Sequence, residues 1–323
     1  AEFAAYCGAE HAIGVGNGLD ALVLALRAAG IGSGAEVIVP AHTFAATWLA
    51  VEAVGARPVP VEVDPGAYVL TAEAIAAAVT PRTTAVILVS LYGHPLDMAP
   101  ILEVAARHGL FVLEDAAQSH GARSHGSRTG GLAHATAFSF YPTKNLGAVG
   151  DAGAVTTSDA ALAEKVRMLR NYGSQRKYVH EVAGVNSRLD ELQAAFLRAR
   201  LERLDEANDR RRERAARYGD RLKATDGVTL PTEAAWARHV YHLYVVRTQD
   251  RSALQARLTA EGVETLIHYP TPCHLQPAFA HLGYKRGDFP VAEALADEVL
   301  SLPLWPGLPL DDVDRVAAIV SRP

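Results

Sequence analysis

The chain has 323 residues, of which 49% are hydrophobic and 21% charged, proportions of a folded globular protein that exclude disorder, collagen-like repeats and coiled coil. Its 31 basic and 36 acidic side chains leave a net charge of −5, which gives no basic footprint for nucleic acid. Cys7 and Cys273 lie far apart without a CxxC pair, so neither a disulfide framework nor a structural zinc site is expected. Apolar runs such as residues 85–91 fall well short of a membrane span, and no charged-apolar-small leader opens the chain. A soluble cytoplasmic protein is the expectation, with a length that suits one large domain and a smaller one. The opening Ala1-Glu2-Phe3-Ala4-Ala5-Tyr6 reads like the interior of an amphipathic helix without a cap, which predicts further chain upstream in the natural protein.

In chain order, short β-rich apolar runs alternate with alanine- and leucine-rich helical patterns. Strands are expected at residues 36–39, 57–63, 85–90, 110–114, 135–140 and 153–157, and helices at 19–29, 43–54, 72–78, 98–108 and 160–170. Near-continuous apolar strands separated by helices predict an α/β fold with a mostly parallel sheet covered on both faces. Ligands of such sheets bind beyond the carboxyl ends of the strands. Residues 189–224 read as one long charged helix linking two regions. Beyond it, a strand at 240–247, a helix at 252–261, a strand near 264–267 and helices at 291–300 and 311–320 predict a smaller α+β domain. The division expected is 1–224 and 225–323.

Three stretches could carry chemistry. Gly14-Val15-Gly16-Asn17-Gly18-Leu19-Asp20 opens a helix, where free N–H groups and small residues suit a phosphate. A tight turn capped by Asn17 or Asp20 explains the stretch equally well, and Leu19 breaks the dinucleotide pattern G-x-G-x-x-G. Phe111-Val112-Leu113-Glu114-Asp115-Ala116-Ala117-Gln118 is a buried strand ending in two carboxylates, of which strand alternation sends one to the ligand and the other away. Alone, it would also suit a metal or a ribose. The third stretch, Ala137-Phe138-Ser139-Phe140-Tyr141-Pro142-Thr143-Lys144-Asn145-Leu146-Gly147, runs a strand into a single lysine among small residues. Desolvation there would lower the amine's pKa and make it a nucleophile toward carbonyls. His120, His125 and His134 match no metal-ligand spacing, and no metal is expected.

Together these features suit pyridoxal 5'-phosphate. Its phosphate needs N–H donors, its pyridine nitrogen a carboxylate, and its aldehyde a lysine; a hydroxyl such as that of Ser139 can add to the phosphate.

At this point the sequence resembles the DegT/DnrJ/EryC1/StrS sugar aminotransferases, which have the aspartate-aminotransferase fold. The stretches GVGNGLDALVLAL, EVIVPAHTFAATWLAV, GHPLDM, VLEDAAQSHGA, FSFYPTKNLGAVGDAGAV, GVNSRLDELQAA and HYPTPCHLQPAF carry the resemblance, in family order, over nearly the whole chain. The resemblance implies a large cofactor domain built on a seven-stranded sheet. It makes Lys144 the lysine that binds the cofactor as a Schiff base, Asp115 the partner of the pyridine nitrogen, and Gln118 a group near the phenolic oxygen O3′. Gly18, Leu19 and Ser139 would hold the phosphate, and Phe44 would stack on the ring, although a core phenylalanine is the plain alternative. Asn186 would reach the cofactor phosphate of a neighbouring subunit, requiring a homodimer with shared sites.

The implied reaction uses L-glutamate as amino donor and a nucleotide-linked keto-sugar as acceptor, with Lys144 moving the proton. Some relatives carry histidine in place of this lysine and dehydrate their substrate, so Lys144 favours transamination. The run NLGAVGDAG resembles members acting on a 3-keto-6-deoxyhexose more than those acting at C4. His268, Tyr269 and His274 fall in the stretch bordering the sugar-nucleotide pocket, and Lys177 and Tyr178 in a loop resembling the one that crosses to the partner. Each suits a solvated or packing role equally well.

Overall fold

The computed structural model describes residues 1–322. The first half comprises α1 (Glu2–Cys7), β1 (His11–Val15), α2 (Gly18–Ala28), β2 (Glu36–Pro40), α3 (Ala45–Ala53), β3 (Arg57–Val61), α4 (Ala72–Ala78), β4 (Thr83–Val89), α5 (Met98–His108) and β5 (Phe111–Asp115). There follow a short hairpin, β6 (Arg123–Ser124) and β7 (Ser127–Arg128), then β8 (Ala135–Ser139), β9 (Gly153–Thr157), α6 (Ala160–Leu169), α7 (Glu191–Leu201) and α8 (Leu204–Leu222). The remainder contains β10 (Ala237–Arg238), β11 (Tyr244–Arg247), α9 (Arg251–Ala260), α10 (Pro290–Glu298), β12 (Val299–Leu302) and α11 (Leu310–Val320).

The main sheet has seven strands in the order β1-β9-β8-β5-β4-β2-β3. Pairs β2/β3, β2/β4, β4/β5 and β5/β8 are parallel; β9 runs antiparallel to both β8 and β1. The expected mostly parallel α/β sheet is therefore present. Helices cover both faces. On one side α2 buries Ala21, Leu22, Leu24, Ala25, Leu26 and Ala28 against a core containing Trp48, Val37, Val39 and Ile87. On the other, Ile101, Val104 and Ala105 of α5 pack with Ile75, Val86 and Leu88.

Four local expectations differ from the structure. The glycine-rich stretch begins as a strand: β1 ends at Val15, and only Gly16 and Asn17 form the turn into α2. The long helix is broken at Glu202–Arg203 into α7 and α8. Residues 264–267 form no strand; Leu266 alone makes a bridge, to Ser301. The helix expected at 291–300 ends at Glu298, and its last residues start β12, which pairs antiparallel with β11.

Residues beyond 224 share the cores flanking the sheet, Cys273, Phe279 and Leu282 on one side and Val245, Leu295 and Val299 on the other, and are also gripped by one buried cation. Arg211 on α8 donates from Nη1 to the carbonyls of Tyr241, His242 and Leu304 at 3.1–3.3 Å, and burial lowers its pKa to about 10. Within the same interface, Asn145 bridges Asn208 of α8 and the Val240 carbonyl, while Asn208 donates to the His120 carbonyl. The two-residue strand β10 pairs with β6, so residues beyond 224 also join the larger body. Arg211→Leu would strip a charged donor from three carbonyls; the expected cost is about 3 kcal/mol in urea denaturation, and a loss under about 1 kcal/mol would contradict this account.

Candidate active site

β1, β2, β4, β5 and β8 all point the same way, and their carboxyl ends open on one rim of the sheet. The segments leaving that rim carry Gly18, Phe44, Tyr92, Gln118 and Lys144 respectively.

Asp115 is the last residue of β5 and is buried. Thr47 donates to its Oδ2 at 3.0 Å and the Ala117 N–H to its Oδ1 at 3.2 Å, which fixes the carboxylate plane. Burial raises its pKa, against the two hydrogen bonds and the charge of Lys144, which lower it. Glu114 turns to the opposite side, as strand alternation requires. It accepts from Ser90 at 2.6 Å and from Thr136 at 3.5 Å, and burial pushes it up to about 7. Of the two adjacent carboxylates, only Asp115 faces Lys144.

Lys144 lies in a loop closed by its own N–H to the Tyr141 carbonyl at 2.8 Å. Burial lowers the pKa of its amine, and Asp115 opposes that shift. His120, His242 and His268 all lie within the field of Lys144; burial drives them down, His120 to about 3 and His268 to about 4, so they are neutral at pH 7. They add no competing positive charge. The amine's attack on an aldehyde is expected to rise with pH through a midpoint below the ordinary lysine value of 10.5, measurable from the rate of pyridoxal phosphate capture.

The start of α2 abuts Ser139. Asn17 caps the helix by accepting from the Asp20 N–H at 2.8 Å, leaving the N–H groups of Gly18 and Leu19 as the leading donors. A Cβ on Gly18 would lie 2.7 Å from Ser139 Cβ, so only glycine lets the helix start and the serine close on one small volume. Nearby, Ser187 Oγ accepts from Gly16 N–H at 2.9 Å and donates to Asp20 at 2.6 Å, fixing the turn.

Gln118 accepts the Tyr92 N–H at 2.7 Å and donates to the Tyr269 hydroxyl at 3.0 Å. The Tyr269 ring packs at 5.4 Å, tilted, against Phe44, which is 55% exposed despite its size. An aromatic ring presented at the rim beside a buried amine and carboxylate, with a helix start and a hydroxyl alongside, fits pyridoxal phosphate part by part: ring face, aldehyde, pyridine nitrogen and phosphate. Phe44 is thus not the core residue that its type alone suggests.

Not all the remaining expected site residues join the Lys144 group. Asn186 is exposed, its backbone bridged to Asn171. Lys177 and Tyr178 stand on an exposed loop, the ammonium 5.1 Å from the tyrosine ring centroid and Tyr178 85% exposed. His268 belongs with the Lys144 group and bonds Ser301 through Nδ1 at 2.8 Å. His274 does not: it is buried, its Nε2 bonds Glu293 of α10 at 3.0 Å, and its ring packs on Phe289. The short helical turn at Cys273–Leu275, whose Cys273 packs in the core around Trp48, turns it toward Glu293 and Phe289. The three histidines weighed for a metal are dispersed, His125 stacked on Trp236 and His134 accepting the Val112 N–H. Sequence reasoning missed Thr47, Tyr92 and His242. The Thr47 position, three residues after Phe44 on the first turn of α3, was the one readable signal.

Gly18→Ala is expected to push the start of α2 off Ser139 and weaken pyridoxal phosphate binding about tenfold, or roughly 1.4 kcal/mol. Fluorescence titration of the cofactor measures it; unchanged affinity would place the phosphate elsewhere.

Comparison with known proteins agrees with this geometry. The family model for the DegT/DnrJ/EryC1/StrS aminotransferase family matches residues 1–321. The chain is 57% identical, over 98% of its length and 87% of the relative's, to the erythromycin biosynthesis sensory transduction protein EryC1 of Saccharopolyspora erythraea. It is 54% identical, over 98% of its length and 83% of the relative's, to the dTDP-3-amino-3,4,6-trideoxy-alpha-D-glucose transaminase of Streptomyces venezuelae. The crystal structure of S. venezuelae DesV in complex with a ketimine intermediate superposes with a TM-score of 0.97 at 53% identity, covering 99% of this chain and 86% of that one. With its sheet, its lysine and its matched motifs in place, the chain belongs to the DegT/DnrJ/EryC1/StrS aminotransferase family and is a pyridoxal-phosphate-dependent aminotransferase.

Proposed function

We propose that this enzyme moves the amino group of L-glutamate to the keto carbon of a nucleotide-linked sugar, releasing 2-oxoglutarate, and that the acceptor is C3 of a 3-keto-6-deoxyhexose. The observation that carries the reading is the shared burial of Lys144 and Asp115 at the rim, beside the α2–Ser139 cradle. The position of the amino group is supported by the relative named as a 3-amino-3,4,6-trideoxyglucose transaminase and by others named for 3-amino sugars.

When bound, pyridoxal phosphate supplies an aldehyde for amine exchange and a protonated ring that withdraws electrons from the carbon bearing the amine. The chain's own groups do the rest. Asp115, oriented by Thr47 and the Ala117 N–H, holds the proton on the ring nitrogen; a cation at that atom favours the carboxylate, against the effect of burial. The N–H groups of Gly18 and Leu19 and the Ser139 hydroxyl hold the phosphate, and Gln118 faces the phenolic oxygen. Lys144 would be the group that takes the Cα proton of glutamate and gives a proton back, and for the sugar would work in the opposite order. A lowered amine pKa suits a group that must both accept and release that proton near neutrality.

We propose also that the working form is a homodimer in which Asn186, Lys177 and Tyr178 act at the partner's site. Exposed apolar side chains near the rim and on the following segments, Phe44, Tyr141, Tyr172, Leu192 and Phe196, support an interface there. His268 and Tyr269 border the acceptor pocket in this reading.

The protein mixed with pyridoxal phosphate should show a visible absorbance band that disappears on adding L-glutamate and returns on adding the keto-sugar nucleotide. Lys144→Ala should lower turnover by at least about 10³-fold. A Lys144→Ala protein retaining full turnover would refute the assignment.

A further inference from the structure

Gln118 is held from two directions, and both lead to Tyr92. The Tyr92 N–H donates to Gln118 Oε1 at 2.7 Å, which commits that oxygen as the acceptor. The amide nitrogen must then face the other way. It gives one hydrogen to the Tyr269 hydroxyl at 3.0 Å and keeps a second free. The Tyr92 φ of +57°, in the left-handed region that few side-chain-bearing residues adopt, sets where the phenol lies relative to its N–H.

The phenol completes the arrangement. Its hydroxyl bonds the main-chain carbonyl of His268 and lies 2.8 Å from Nε2 of His42. A carbonyl only accepts, so the hydroxyl hydrogen goes to His268 and Nε2 of His42 must be the donor. His42 is therefore the neutral tautomer with its proton on Nε2, consistent with burial lowering its pKa to about 4. Tyr92 thus joins the large body, through His42, to the segment that carries Tyr269.

We propose that Tyr92 is a positioning residue for transamination: its N–H and hydroxyl set Gln118 and the His268–Tyr269 segment so that the remaining Gln118 N–H donates to the phenolic oxygen of the cofactor. The Tyr269 ring is thereby kept against Phe44. The assignment rests on Gln118 facing that oxygen, as set out above.

The test uses the full chain reconstituted with pyridoxal phosphate and reads the position of its visible band, which responds to hydrogen bonding at the phenolic oxygen and needs no amino donor. Gln118→Ala should move the band. Tyr92→Phe keeps the N–H on Gln118 but frees the His268–Tyr269 segment; it should move the band in the same direction by less, and should add little in the Gln118→Ala background, because the hydroxyl reaches the phenolic oxygen through Tyr269 and Gln118. His42→Leu should reproduce the Tyr92→Phe shift, whereas His42→Gln, which keeps an N–H donor near the Nε2 position, should restore the wild-type band. An unmoved band in Tyr92→Phe, or a shift that adds in full to that of Gln118→Ala, would overturn the proposal. If Tyr92→Phe does not fold, the His42 pair decides: equal bands in His42→Leu and wild type would overturn it. A wild-type band that ignores L-glutamate would reject the donor assignment and leave this comparison in force, whereas a wild type with no band would overturn both the cofactor arrangement and the role of Tyr92.

Discussion

An amine and a carboxylate removed from water at the same rim set the terms for this site. Burial lowers the pKa of Lys144 and raises that of Asp115, while each group's charge opposes the other's shift. The Ala117 N–H and Thr47 offset the burial of Asp115 more than Lys144 does, whereas for Lys144 the charge of Asp115 is the opposing influence. The surroundings preserve that balance: Thr47 and the Ala117 N–H orient the acid, and the histidines in the lysine's field are neutral. A charged histidine among them would repel the ammonium and move the amine further from its ordinary value.

The fold serves this balance by bringing distant segments to one edge. Parallel strands deliver residues 18, 44, 92, 118 and 144 at the same end of the sheet, although they span much of the larger body in sequence. The rim is closed from the other side by the smaller region, which contributes His268 and Tyr269. Hydrogen bonds join the two sides: Gln118 to Tyr269 at the cofactor, and Arg211 and Asn145 beneath it. Polar contacts thus join the two sides both at Gln118 and at α8.

Much of this was legible in the chain itself. Lys144 and Asp115 could be read because chemistry allows few residue types at their positions and each follows a buried strand. The main sheet could be read because its strands are apolar and end in turn residues. The break between α7 and α8 has no glycine or proline at Glu202–Arg203 to announce it, and the start of β12 was hidden because Leu295, Ala296, Val299 and Leu300 continue a helical apolar pattern. The burial of His274 against Glu293 and Phe289 was not legible, because proximity to Tyr269 in sequence says nothing about the rotation of the intervening turn. Tyr92 was missed for a deeper reason: one of its contributions is a main-chain N–H, which every residue but proline possesses, and where its phenol lies relative to that N–H depends on a backbone angle.

The Arg211 clamp has a consequence for how such an enzyme can change. It grips the carbonyls of Tyr241, His242 and Leu304, atoms common to every amino acid. The Arg211 bonds are therefore indifferent to the identity of those side chains, although His242 also holds Asn145 through Nδ1 and Tyr241 and Leu304 pack on the neighbouring core. Where a clamp reads only main-chain atoms, a side chain along that edge can change without removing the hydrogen bonds that Arg211 makes, so the anchorage itself puts no sequence requirement on the three positions it grips.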